Sequence, residues 1–129
     1  MITLVFCLRR LPHLSPDAFY DYWLNVHGPL VRARAPLLRM ARYQQMHRFA
    51  DDALAAVATV RNAPEPFDGV AQVSWHTRNE LLESATDRLG RRAARELLED
   101  ERNFIDLPNS PIFFAEMHDI VPLGAGVGG

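Results

Sequence analysis

One cysteine, Cys7, stands alone among 129 residues, so no disulfide can form within the chain and the fold must rest on packing. Its place in "MITLVFCLRR" suits a small apolar strand residue, and nothing around it would depress a thiol pKa for nucleophilic work. Excess charge is missing as well. A formal net charge of −2 gives no electrostatic reason to bind nucleic acid or an anionic membrane. No apolar run approaches the roughly 20 residues that span a bilayer. The first residues lack a basic stretch followed by an apolar core and a small-residue cleavage site, so a cytoplasmic location is expected. Also absent are a Gly-rich phosphate loop, a nucleotide fingerprint, a Ser-His-Asp order, and any close His or Cys pairing of metal-ligand spacing. A neutral small molecule or another protein remains as the expected partner.

What is present reads as one domain, long enough to bury roughly two thirds of its unfolded surface. "ITLVFCL", residues 2–8, is apolar at nearly every position, as in a strand covered on both faces. Ser15, Pro16 and Asp17 form a helix start of N-cap, N1 proline and early acid. Phe19, Tyr22, Trp23 and Val26 then recur at helical spacing as one apolar stripe, with Asp21 and Asn25 opposite. Pro29 removes a backbone donor, so a break is expected at Gly28, followed by a second helical piece that stops near Pro36. Residues 41–49 and 70–77 read as strands, the second with Ala71, Val73 and Trp75 on one face. Between them, residues 50–68 hold an alanine run that suits a short helix and a proline-rich loop. "RNELLESATDRLGRRAARELLEDERNFI" is one amphipathic helix or a pair meeting around Gly90, and "PNSPIFFAEMHDIV" supplies the last strand. The order βαββαβ favours an α+β, ferredoxin-like fold with a four-stranded antiparallel sheet and both helices on one face. The first strand's other face then needs cover, which a second copy would give, so a homodimer is expected.

His27 is the first candidate for chemistry. On a regular helix it lies about 40° from Trp23 and about 20° from Tyr20, at the rim of the stripe. There it either caps the helix end as an imidazolium or faces a cavity as general acid or base. Tyr20, Tyr22, Tyr43, Trp23 and Trp75 suit core or pocket walls. Glu116, flanked by apolar residues, shares a strand face with His118 by parity. Asn103 and Asp106 are explained by capping and turn formation. A metal site would require the fold to gather His47, His76 and His118, and none is expected.

"FYDYWLNVHGPLV" resembles the hallmark of the EthD-like family: an aromatic, then Tyr-Trp, then His-Gly-Pro-Leu-Val. "DERNFIDLPNSPIFFAEMHDIV" resembles that family's closing segment of acidic helix end, Phe-x-Asp, and strand with a glutamate. The two cover both ends of the chain and leave "ADDALAAVATVRNAPEP" unmatched. A single domain is expected over residues 1–122, and the tail at 123–129, with little to pack, is expected to be flexible. The resemblance implies a dimeric α+β barrel with a small-molecule pocket between helices and sheet in each subunit, and chemistry without metal or organic cofactor. By this resemblance His27 is the motif histidine, Tyr22 and Trp23 are the motif aromatics, and Asp106 and Glu116 match the closing acids.

The expected function is therefore a cofactor-independent enzyme acting on a hydrophobic carbonyl- or phenol-bearing molecule, aromatic or polyketide-like. His27 would move a proton, Glu116 or Asp106 would orient it or take the second proton, and Trp23, Tyr20, Tyr22, Trp75 and Tyr43 would bind substrate. Dehydratase, isomerase, decarboxylase and monooxygenase activities all suit such a site. Two alternatives use the same pocket: a non-catalytic binding or accessory protein, and a haem protein in which a histidine reaches iron.

Overall fold

The computed structural model describes residues 1–124, so most of the expected tail at 123–129 lies outside the described residues. Strand β1, Ile2–Leu8, is interior to a four-stranded sheet ordered β2-β3-β1-β4. Strands β2 (Arg42–His47), β3 (Gly69–Trp75) and β4 (Ile112–Ala115) complete it, and every pairing is antiparallel. This is the α+β, ferredoxin-like arrangement that the pattern implied. Register sorts the side chains by face. Leu4 pairs with Val73, and Phe6 pairs with Ala71 and Ile112, on the face beneath the helices. Val5 pairs with Gln72 and Phe113, and Cys7 with Val70, on the opposite face. That outer face is only partly covered within one chain, with Phe113 and Met46 about half exposed.

The helical layer begins at α1, Pro16–Tyr22, where the Ser15 hydroxyl accepts the Ala18 N–H at 3.1 Å. The expected break at Gly28 does not occur. Helix α1 runs directly into a π-helical turn, Trp23–His27, and on into α2, Gly28–Arg34. In a tight α-ladder the Pro29 ring would strike the carbonyl four residues back. The wider i→i+5 turn relieves that conflict, and the Gly28 N–H reaches the Trp23 carbonyl instead.

The turn also corrects the expected stripe. Phe19, Trp23, His27 and Val31 are all buried, at exposures of 0%, 1%, 5% and 2%, whereas Val26 is 47% exposed. Four-residue steps drift about 40° each on a regular helix. One extra residue in the turn cancels much of that drift, holds this row on one face, and brings His27 from the rim to the interior.

Between β2 and β3 lies the short helix α3, Ala56–Thr59, exposed throughout. After β3, helices α4 (Arg78–Thr86) and α5 (Arg88–Glu101) meet at Asp87, whose carboxylate caps α5 through the Gly90 N–H. The junction is thus not at Gly90, which sits in the first turn of α5 because a Cβ there would stand 2.1 Å from the Ser84 carbonyl oxygen. A 3-10 turn, Leu107–Asn109, leads to β4, which ends at Ala115. Glu116 and His118 follow the strand rather than share its face. The core joins Leu8, Phe19, Trp23, Ala71, Phe104 and Ile105 between the two layers, and a second cluster of Val31, Leu38, Ala93 and Leu97 continues it. Among the described residues, no helix is long and apolar enough to cross a membrane.

Gly69 governs how closely the helices approach the sheet. A Cβ there would lie 2.5 Å from Trp23 Cζ3 and 2.6 Å from the Met46 carbonyl oxygen. Gly69→Ala is expected to lower stability by about 1–3 kcal/mol in urea denaturation, because a buried ring and a backbone strand must both shift. An unchanged midpoint would mean that Trp23 is not held against the sheet.

Candidate active site

Between the helices and the inner sheet face lies a cavity of about 190 Å³. Its apolar wall includes Leu4, Phe6, Val31, Leu38, Val73, Trp75 and Leu97, and its polar atoms come from His27, Tyr43, Glu101 and the Trp23 indole. An apolar cavity carrying a few convergent polar groups is the usual form of a small-molecule site.

The π turn carries His27 into this wall, and α5 meets it. His27 Nδ1 lies 2.7 Å from Asp100 Oδ2. Asp100 Oδ1 in turn accepts the Tyr22 hydroxyl at 2.5 Å and the Asn103 amide at 3.4 Å, and the same amide donates to the Tyr22 oxygen at 3.2 Å. Burial would raise the Asp100 pKa, but the hydrogen bonds from Tyr22 and His27 outweigh it and hold the carboxyl below its ordinary value. Burial lowers the His27 pKa despite the pull of Asp100. Near neutrality the pair is therefore a carboxylate accepting Nδ1–H from a neutral imidazole, which leaves a lone pair on Nε2. Nε2 has no hydrogen-bond partner among the described residues, and none of their sealed side-chain nitrogens or oxygens is unpaired. It is thus open to the cavity that His27 lines.

Tyr43 stands on β2, where its oxygen accepts from Trp23 Nε1 at 3.3 Å and from Gln45 Nε2 at 3.0 Å. With both lone pairs engaged, its own O–H proton is free to donate to a ligand. Gln45 Nε2 also donates to the Trp23 carbonyl at 2.9 Å, tying β2 to the π turn. Glu101 extends the inward row of α5, four residues beyond Leu97. Burial pushes its pKa up to about 7, the Asp100 charge adding and Arg102 opposing. Its carboxyl has no hydrogen-bond partner among the described residues.

Of the residues singled out from sequence, His27, Trp23, Tyr43 and Trp75 line the cavity. Tyr22 stands behind, holding Asp100. Tyr20 faces away: its hydroxyl donates to the Asp68 carbonyl at 2.6 Å and its ring stacks on His47. Asp106 accepts from Asn109 at 2.8 Å in the turn before β4, and Glu116 is solvent-exposed beside His118. Neither closing acid reaches His27 within one chain, since both fall outside the helix that packs on it. Asp100 and Glu101 are the acids at the site. The signal for Glu101 was an acid at a stripe position, four beyond Leu97. Cys7 points to the outer face, opposite the cavity.

His47, His76 and His118 do not converge. His47 pairs at the start of β3, while His76 follows its end, roughly 20 Å along an extended strand. No group of His, Cys, Asp or Glu suited to a metal occurs among the described residues. At about 190 Å³ the cavity beside His27 does not enclose the four linked pyrrole rings of a haem.

The family model for the EthD domain matches residues 11–108, about three quarters of the chain. The chain belongs to this family. No curated protein matches it. Among solved structures it is similar to an EthD family protein from Bacillus halodurans, at 14% identity and TM-score 0.59, covering 92% of this chain and 100% of that one. A dimeric protein of ferredoxin-like fold from Bacteroides fragilis is similar at 6% identity and TM-score 0.56, covering 90% and 95%. The cofactor-independent oxygenase SnoaB from Streptomyces nogalater is similar at 13% identity and TM-score 0.53, covering 94% and 96%. These likenesses carry the fold.

Glu101 makes the site's electrostatics measurable. Its ordinary value is 4.5 and its folded value about 7, so between those pH values the folded chain keeps a proton that the unfolded chain has lost. Stability therefore falls as pH rises through that window and levels off above about 7. Glu101→Gln removes this loss. The variant is expected to exceed the wild type by up to about 3 kcal/mol at pH 8.5 and to match it near pH 4.5, by urea denaturation at each pH. A pH-independent difference would place the carboxyl in solvent.

Proposed function

We propose that this EthD-family chain is a cofactor-independent enzyme acting on a hydrophobic small molecule that bears a carbonyl or phenol. The observation that supports this reading most is the state of His27. One ring nitrogen is fixed by an ionised Asp100, and the other is unpartnered at the wall of an apolar cavity. A protein that only sequesters a ligand needs the cavity but not this dyad.

In the reaction, substrate enters the cavity with its acidic C–H or O–H at His27 Nε2. The neutral imidazole takes the proton, and the Asp100 carboxylate stabilises the imidazolium that forms, while Tyr22 and Asn103 keep Asp100 in place. The Tyr43 hydroxyl donates to the oxygen on which charge develops; its own two accepted hydrogen bonds strengthen it as a donor. The apolar walls make each of these interactions stronger than it would be in water. No lysine occurs in the chain, so an imine with the carbonyl is not the route.

We also read the working unit as a homodimer in which the outer sheet faces of two copies cover each other. Val5 lies at the middle of that face, between Gln72 and Phe113. Val5→Arg is expected to give a monomer by light scattering at micromolar concentration, and a dimer from that variant would move the interface elsewhere.

His27→Ala is expected to stay folded and to lose turnover of any ring ketone or phenol that the wild type converts. Asp100→Asn, which favours the opposite tautomer, should lower kcat by about a hundredfold or more. Nitrogen-15 spectra at pH 7 should find the His27 proton on Nδ1. Activity retained in His27→Ala would end its role as base.

A further inference from the structure

The dyad accounts for removal of a proton and leaves one group of the cavity unused. Glu101 adjoins Asp100 in sequence, yet one step of about 100° around α5 turns it from the His27 side towards the cavity. Nothing among the described residues pairs with its carboxyl. A structural acid would be expected to hold an arginine or a backbone N–H, and an isolated acid among Leu97, Ile105 and Trp23 serves packing worse than leucine would. Burial keeps it protonated well above the ordinary carboxylate range, with a pKa of about 7, so it can donate where His27 accepts. At about 190 Å³ the cavity is close to the roughly 150 Å³ that accommodates one benzene, so it suits one six-membered ring.

We propose that Glu101 is the second proton-transfer group of this cavity, and that the site shifts a proton between two carbons of a one-ring unsaturated ketone. The proposal rests on His27 as base. For a ring with its double bond one carbon removed from conjugation, His27 Nε2 takes the proton from the carbon between carbonyl and alkene. That C–H pair becomes a dienolate, its charge on the oxygen that Tyr43 O–H faces. Glu101 O–H then protonates the far alkene carbon, and the remaining double bond moves into conjugation as the carbonyl re-forms. A proton returns from the imidazolium to the Glu101 carboxylate through water, so the net change is isomerisation. No electrons are gained or lost, and no oxidant is needed.

The probe is cyclohex-3-enone in D₂O, followed by proton NMR for deuterium exchange beside the carbonyl and by ultraviolet absorbance for cyclohex-2-enone. The wild type is expected to accelerate both. Glu101→Gln should retain exchange within about twofold while conjugation slows by tenfold or more, and His27→Ala should lose both. Conjugation at the wild-type rate in Glu101→Gln, with exchange lost in His27→Ala, overturns the role of Glu101 and leaves the base intact. Exchange undiminished in His27→Ala overturns the base itself. A wild type that accelerates neither process overturns the substrate class.

Discussion

The four-residue row Phe19, Trp23, His27 and Val31 is the constraint on which the site depends. A regular helix cannot keep residues at strict four-residue spacing on one face, because each step adds about 40° of drift. The π turn from Trp23 to His27 supplies the missing rotation. Trp23 and Phe19 anchor the row against the sheet, Val31 anchors it against α5, and His27 is carried between them into a place that would otherwise suit leucine. Pro29 makes the wide turn the favourable solution, and Gln45 supplies a second donor to the Trp23 carbonyl within that turn. The cost of ordering an irregular helix segment is thus tied to a buried imidazole, in keeping with the tendency of single π turns to occur at functional positions.

From that placement the electrostatics of α5 follow. Asp100 and Glu101 are neighbours in sequence with opposite fates. Asp100 meets three donors and stays ionised, whereas Glu101 meets an apolar wall and the negative charge of Asp100, and keeps its proton. Two adjacent carboxyls with separated pKa values, together with a neutral imidazole, give a site both an acid and a base near neutrality without a metal to create either. The half-buried acid is destabilising once ionised, so the fold gives up some stability on the alkaline side to keep a donor in the cavity.

Much of the fold was legible in the sequence because its signals were local and repeated. The alternation of "VAQVSW", the cap at Ser15 and the element order βαββαβ all translate into strand, helix and sheet without reference to distant contacts. The burial of His27 was not legible, since a phase reckoned at 100° per residue puts it at the rim and Pro29 signals a break as readily as a widened turn. Val26 was assigned its place by the same regular phase and lost it for the same reason. The closing acids Asp106 and Glu116 came from resemblance of a segment, but contact with His27 is decided by which turn of α5 packs on the π turn. That packing is a tertiary fact, set where Phe104 fills the space beside Phe19, Tyr22 and His27.

The smallness of the cavity has a consequence for chemistry. His27, Tyr43 and Glu101 all line a cavity sized for one ring, so they can act on one ring without any domain closing over it. Preorganisation then comes from packing: Trp23 is fixed by Gly69 and Phe19, Tyr43 by Trp23 and Gln45, and His27 by Asp100 and Phe104. The base and the hydroxyl that would touch substrate are thus both held in place by neighbouring side chains. In such a site, specificity follows from the cavity's volume and from the placing of its few polar groups among apolar walls.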